Sequence, residues 1–246
     1  QLVQGQMRTN RVYADTLVRF ATSFGEVEPL RPDMIPNPNN PKVMRLVSKD
    51  GGGAGKFNDT WHADVTFFRR PPAVTVIQAD TIPDRGGDTV YASLYAAYES
   101  LSEPLRSMIQ DMEALHDGIP SFSTYMLDPS VTNGRERLEH LKSTAEVTAH
   151  PLVTRHPETG RKLLYLNRTF AVRIPGLSDI ESRNLLALLF EHVEQASFQM
   201  RWRWSEGDVG IWDNRCALHY ASKDYGLALR VMDRITIKGD QPIPAH

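Results

Sequence analysis

The chain has 246 residues, 41% of them apolar and 24% charged, with a formal net charge of -2. That size and balance fit one soluble globular domain with a substantial core. The slight negative charge argues against a nucleic-acid binder, and no apolar run approaches the roughly 20 residues that cross a bilayer. No signal-peptide pattern opens the chain, and the single cysteine, Cys216, cannot pair internally, so a cytoplasmic location is expected. The start at Gln1, without a methionine, suggests that N-terminal residues are missing. Nothing in the sequence fixes the assembly, and a homo-oligomer is left open.

In chain order, Arg11 to Phe24 predicts a helix, with Leu17, Val18, Phe20 and Ala21 at helical spacing before Gly25. Pro29 to Phe57 is rich in Pro, Asn and Gly, and only Val43 to Val47 reads as a strand. Within it, Gly51-Gly52-Gly53-Ala54-Gly55-Lys56 fails as a phosphate loop. Asp50 stands where the first glycine belongs, and Phe57 replaces the Ser or Thr. A flexible lip near a site entrance is expected there instead. Ala73 to Ala79 predicts a buried strand, and Gly86-Gly87-Asp88 a turn into the strand that begins at Thr89. Ser102 to Leu115 predicts one helix on the stripe Leu105, Met108, Ile109, Met112 and Leu115, with His116 at its end. Residues 117 to 145 are polar and irregular, which predicts a mobile, lid-like insertion. Leu163 to Leu166 is strand-like, and Ser178 to Gln195 predicts a helix with Asp179 and Glu181 in its first turn. Trp202 to Trp204, Val209 to Trp212 and Val231 to Ile237 read as C-terminal strands. Short strands, long insertions and a few covering helices predict a mainly β single domain over 1–246, a distorted jelly roll.

The chemistry begins at His62-Ala63-Asp64. In extended chain, alternate residues share a face, so one imidazole and one carboxylate reach neighbouring coordination positions. A third ligand must come from elsewhere, and two His with one carboxylate leave open positions on an iron(II). A closed zinc site would want more cysteine than the chain has. Among the other histidines, His150 and His156 precede prolines, His192 lies on a predicted helix, and His116 and His140 have plainer readings. His219, beyond the strand Val209 to Trp212 and the turn Asp213-Asn214-Arg215, is the best candidate. In the strand that ends at Ile237, Arg230, Met232, Arg234 and Thr236 share one face, and arginine is the residue type for fork-shaped pairing with a carboxylate.

Several motifs in order carry a resemblance. Trp61-His62-Ala63-Asp64-Val65-Thr66-Phe67, then Gly86-Gly87-Asp88-Thr89, then His150-Pro151-Leu152-Val153 through to Phe170, then Trp212-Asp213-Asn214-Arg215 leading to His219, resemble the taurine dioxygenase and 2,4-dichlorophenoxyacetate dioxygenase family. The resemblance runs from about Phe24 to Asp240. It implies a double-stranded β-helix core, Fe(2+), and 2-oxoglutarate and O2 as cosubstrates. It further implies His62, Asp64 and His219 as metal ligands and catalytic centre, with Thr89 and Arg230 on the distal carboxylate of 2-oxoglutarate. Arg234 falls between cosubstrate and substrate.

The same resemblance implies a small anionic organic substrate, with Asn58, Val65, Ser121, Phe122, Phe170 and Arg234 lining its pocket. Taurine or another alkanesulfonate is the first expectation; aryloxyalkanoates and alkyl sulfate esters are the alternatives. One departure bears on this. The His and Tyr that follow the Phe-Gly-Glu motif in taurine dioxygenase are absent after Phe24-Gly25-Glu26, where Val27 to Met34 supplies Arg31 as a possible anion partner. A non-catalytic metal-binding jelly roll is the reading from another class. Arg230 and Thr89 speak against it, because a storage or structural site needs no cosubstrate anchor.

Overall fold

A computed structural model describes residues 10–31, 34–49, 52–53, 59–129, 131 and 133–245. Asn58 and most of the Gly51–Lys56 run lie outside the described residues, although Gly52–Gly53 does form a short strand. No helix of the described residues is long and apolar enough to cross a membrane.

The largest sheet is antiparallel. It runs β1 (Pro36–Asn37), β2 (Asn40–Lys49), β14 (Arg230–Ile237), β4 (Val74–Thr81) and β12 (Val209–Asp213), with β3 (Gly52–Gly53) against β2. Its outer face is sealed by α1 (Asn10–Ala21), where Ala14, Leu17 and Ala21 meet Val43, Val76, Ile235 and Ile237. A second antiparallel sheet, β11 (Gln199–Trp202), β5 (Thr89–Ser93) and β13 (Ala217–Ala221), brings Tyr91 against Leu46, Ile77, Ala79 and Met232 of the first. Alternation along β14 thus turns Val231, Asp233, Ile235 and Ile237 one way, and Arg230, Met232, Arg234 and Thr236 towards the second sheet.

The back of the smaller sheet, through Ala92 and Leu218, packs on the largest apolar cluster. That cluster draws on α2 (Leu94–Ser100), α3 (Glu103–Ile109), α6 (Asp179–Val193) and strands β8 (Val153–Arg155) and β9 (Lys162–Leu164). Strand β15 (Ile243–Pro244) extends the β8–β9 pair, while β6 (Glu113–His116), β7 (Thr148–Pro151) and β10 (Ala171–Arg173) make a further small sheet. Helix α6 starts on a full capping box: Ser178 Oγ accepts from the Glu181 N–H, and the Glu181 carboxylate accepts from the Ser178 N–H. Such a cap is worth about 1 kcal/mol.

Three expectations change. The helix predicted over Ser102 to Leu115 stops at Ile109, and Glu113–His116 is a strand paired on both sides. Ala114 and His116 alternate inward there, a period-2 pattern that the helical stripe of Met112 and Leu115 overlies. The 117–145 segment is not irregular: α4 (Ile119–Met126) and α5 (Gly134–Thr144) occupy it. Trp204 lies beyond β11 and is buried between the two larger sheets.

Candidate active site

His62, Asp64 and His219 come together from two kinds of backbone. His219 sits on β13, opposite Tyr91 of β5. His62 adds to the free edge of β13 through a single bridge: its N–H donates to the His219 carbonyl at 3.0 Å, and the His219 N–H returns the bond at 2.8 Å. Only His62 is extended in that way. Asp64 opens a turn, and Val65 takes a left-handed conformation (φ 41°), which is rare for a β-branched residue. The carboxylate reaches the imidazoles because the chain bends there, so the same-face argument from an extended triplet does not describe the loop.

One potential ligand atom from each residue lies within 4.8 Å of those of the other two, and all three residues are buried. Asp64 Oδ1 stands 3.8 Å from His62 Nε2 and 3.6 Å from His219 Nε2, too far for hydrogen bonds. The His62 Nδ1 lies 2.7 Å from the Thr60 carbonyl, which can only accept, so Nδ1 carries the proton and Nε2 keeps its lone pair. Burial holds the imidazoles of His62 and His219 below the ordinary histidine range, so both stay neutral. Burial alone would raise the Asp64 carboxyl. Arg234 first, then His219, His62 and the Thr75 hydroxyl, outweigh it and hold the group well below the usual carboxylate range. Two neutral imidazoles and one ionised carboxylate, with no hydrogen bond among them, fit a divalent metal.

Asp64 Oδ2 is engaged elsewhere. It accepts from Thr75 Oγ1 at 2.8 Å and pairs with Arg234 Nη2 at 2.5 Å, and Arg234 lies over the Trp212 ring. Arg230 behaves differently. It is only 7% exposed, its Nε–H donates to the Gly87 carbonyl at 3.1 Å, and it has no carboxylate partner among the described residues. Burial depresses its pKa. Asp88 acts on it only at a distance, and a buried guanidinium with no carboxylate in contact is costly, a cost that a ligand carboxylate would relieve. Gly87 holds φ 74° and passes so close to Arg230 that a Cβ would sit 3.2 Å from its Cδ and Nε. Thr89 is buried, and its Oγ accepts from Trp204 Nε1 at 2.9 Å, so its own proton can be donated, with the Tyr91 hydroxyl within reach.

The predicted substrate-lining residues divide. Phe122 and Phe170 are buried in one cluster with Phe67, Met126, Leu138 and Leu141, and Val65 packs on its edge. Ser121 Oγ donates to the Thr169 carbonyl at 2.6 Å, which ties α4 to the chain before Phe170. Arg31 lies over Phe68 and helps line an open cleft of about 590 Å³ with Glu28, Arg69, Arg70 and Gln241. Glu28 connects that cleft to the centre: its N–H bonds the Thr236 carbonyl, and its carboxyl senses Arg234 and Asp64. Sequence reasoning gave no role to Asn214, Thr75, Thr66, His116, His150 or Asn167, all buried around the Asp64 loop.

A cluster of three potential metal ligands and a buried arginine with no carboxylate partner among the described residues suit one class, the 2-oxoglutarate-dependent dioxygenases, which use Fe(II), 2-oxoglutarate and O2. The chain belongs to the taurine catabolism dioxygenase TauD, TfdA family, whose model matches residues 3–236. It is 36% identical over 211 residues to an alpha-ketoglutarate-dependent sulfate ester dioxygenase of Pseudomonas putida, covering 85% of this chain and 70% of that one. It is 37% identical over 233 residues to an alkylsulfatase of Acinetobacter baylyi, covering 93% and 70%. The crystal structure of a taurine dioxygenase from Burkholderia xenovorans superposes with a TM-score of 0.73 at 32% identity, covering 94% of this chain and 74% of that chain.

Proposed function

We propose that this dioxygenase oxidises an alkyl sulfate ester or a closely related alkanesulfonate at the carbon beside the heteroatom. His62, Asp64 and His219 would hold the iron, with Arg230 and Thr89 on the distal carboxylate of 2-oxoglutarate. The two facing sheets read as a double-stranded β-helix with the centre between them. The observation that carries the proposal is Arg230, a buried cation with no carboxylate partner among the described residues, on the strand face that also carries Arg234 to the His62, Asp64 and His219 cluster. The absence of the His and Tyr after Phe24-Gly25-Glu26 turns the substrate away from taurine, and the names of two relatives point to sulfate esters.

When bound, the iron supplies the oxidative chemistry that couples decarboxylation of 2-oxoglutarate to insertion of one oxygen atom into a C–H bond. The protein's residues orient and exclude. Thr60 fixes the His62 tautomer, Thr75 and Arg234 occupy the outer oxygen of Asp64, and neutral histidines keep their lone pairs. Arg234, close to Asp64, also offers a cation to the substrate's anionic head. Phe67, Phe122 and Phe170 make a dry wall that keeps water from the reacting carbon. Hydroxylation next to an ester oxygen leaves a product that collapses to an aldehyde and releases sulfate.

Purified protein given Fe(II), 2-oxoglutarate and a panel of alkyl sulfates, alkanesulfonates and aryloxy acids should release succinate only with a matching substrate. Sulfate release in step with succinate would identify the ester. Succinate formation driven by an aryloxy acid, and not by any sulfur oxyanion, would refute the substrate reading.

A further inference from the structure

We infer that Asn214 is a positioning residue for Asp64, closing the neck of the loop that carries the carboxylate. The inference rests on the reading of Asp64 as a metal ligand. Asn214 is completely buried in the turn between β12 and β13. Its Oδ1 accepts from the Asp64 N–H at 2.6 Å, and its Nδ2 donates to the Asp64 carbonyl at 3.2 Å. The same Nδ2 donates to the Pro72 carbonyl at 3.0 Å, and the Asn214 N–H donates to the Ala73 carbonyl at 2.8 Å. One residue thus grips both ends of the excursion that leaves at Asp64 and returns at Ala73.

The excursion needs such a grip. Val65, the next residue, is held at φ 41°, a conformation that a β-branched side chain keeps only when its surroundings impose it. With the backbone of Asp64 fixed on one side, Thr75 and Arg234 take Oδ2 and leave Oδ1 towards the two histidines. Asparagine suits the position because only an amide both accepts from an N–H and donates to two carbonyls.

The turn bearing Asn214 is itself braced. His156 Nδ1 accepts from the Glu158 and Thr159 N–H groups at 3.2 and 3.3 Å, so Nε2 carries the proton and donates to Asp213 Oδ2 at 2.9 Å. Arg215 adds bonds from its N–H and Nε, each 2.9 Å, to Asp213 Oδ1. His156, Asp213 and Cys216 stand close enough together to suggest a second metal site. Their committed donors and acceptors make them a brace instead.

Metal affinity separates positioning from a merely structural role. Mn(II) binding would be titrated on metal-free full-length protein, with Co(II) absorption reporting the ligand geometry. Asn214→Ala should raise the Mn(II) Kd by about 10- to 100-fold, the range for lost outer-shell partners. Asn214→Asp, which keeps the acceptor but faces two carbonyls without a donor, should do no better. Ser182→Ala, which removes a buried acceptor for the Ile174 N–H at 2.8 Å away from the centre, should lower the melting temperature and leave the Kd within about twofold. If Asn214→Ala does not fold, Asn214→Ser carries the same expectation, since its shorter side chain cannot span the neck. A folded Asn214 variant with the parental Kd and Co(II) spectrum would overturn the inference, as would a Kd change no larger than that of Ser182→Ala. Asp64→Ala with undiminished Mn(II) affinity would instead overturn the ligand reading, and the positioning role with it.

Discussion

Arg230 and Arg234 lie on one face of one strand, yet their surroundings differ. Arg234 pairs with Asp64, whereas Arg230 is buried with a backbone carbonyl for company. Removing one partner of a buried charge pair costs on the order of 3–5 kcal/mol. Arg230→Ala should therefore weaken 2-oxoglutarate by about two to three and a half orders of magnitude, at roughly 1.4 kcal/mol per tenfold, while Mn(II) binding persists. Thr89→Val should cost less, about 1–3 kcal/mol for one unpaired acceptor. Calorimetric titration of 2-oxoglutarate into the Mn(II) protein measures both, and an unchanged Kd for Arg230→Ala would move the anchor elsewhere. Arg230→Met should also stabilise the ligand-free protein, because it removes a buried cation that no carboxylate among the described residues contacts. That His62, Asp64 and His219 come together was legible because their types and order form motifs, and that Arg230 and Arg234 share a face because side chains alternate along a strand. Asn214 stood inside one of those motifs without a reading. An asparagine in a turn has an ordinary local explanation, and its partners are 150 and 142 positions away.

At the scale of elements, helix α6 was legible to its cap, since Ser178 and Glu181 carry the capping box in their spacing. The end of α3 was not, because the pairing of β6 with β7 and β10 decides it from outside the local window. Helices α4 and α5 did leave signals. Pro120 sits in the first turn of α4, Phe122 and Met126 are four apart, and Leu138 and Leu141 three apart, but a polar background hid them. These two helices lean on Phe67 and Phe170, beside the loop that carries Asp64. As a lid, they would close further when metal, cosubstrate and substrate are all bound. Amide exchange across 119–144 should then slow in the full complex relative to the metal-free protein. Exchange that is already slow and does not respond to ligands would make them a fixed wall.

For the molecule as a whole, the buried histidines govern its response to acid. Burial, with His150 nearby, lowers His116 to about 3, and burial also lowers His150, His62 and His219. Thr66 Oγ lies 2.8 Å from His116 Nδ1 and accepts from Asn167 Nδ2 at 2.9 Å, while His116 Nε2 meets no partner among the described residues, so a second proton would find no acceptor among them. As pH falls below about 6.5, His116 is protonated in the unfolded chain and stays neutral in the folded one, and the other three imidazoles shift in the same direction. The unfolded state then binds more protons, and through His116 stability falls by up to about 1.4 kcal/mol per pH unit, or about 2 kcal/mol between pH 6.5 and 5. Asp64 does not contribute in that window, because its depressed carboxyl keeps its stabilising effect until the pH drops below the ordinary carboxylate range. Glu28 and Asp233, raised by burial, take up protons earlier in the folded chain than in the unfolded one and oppose the loss. Urea unfolding of metal-free protein at pH 7, 6 and 5 should show a declining free energy. In His116→Phe the decline should be shallower by about 1.4 kcal/mol per pH unit, the loss of one proton's linkage. Parallel slopes for His116→Phe and its parent would mean that His116 is already charged in the folded protein, and that its environment holds an acceptor for the second proton.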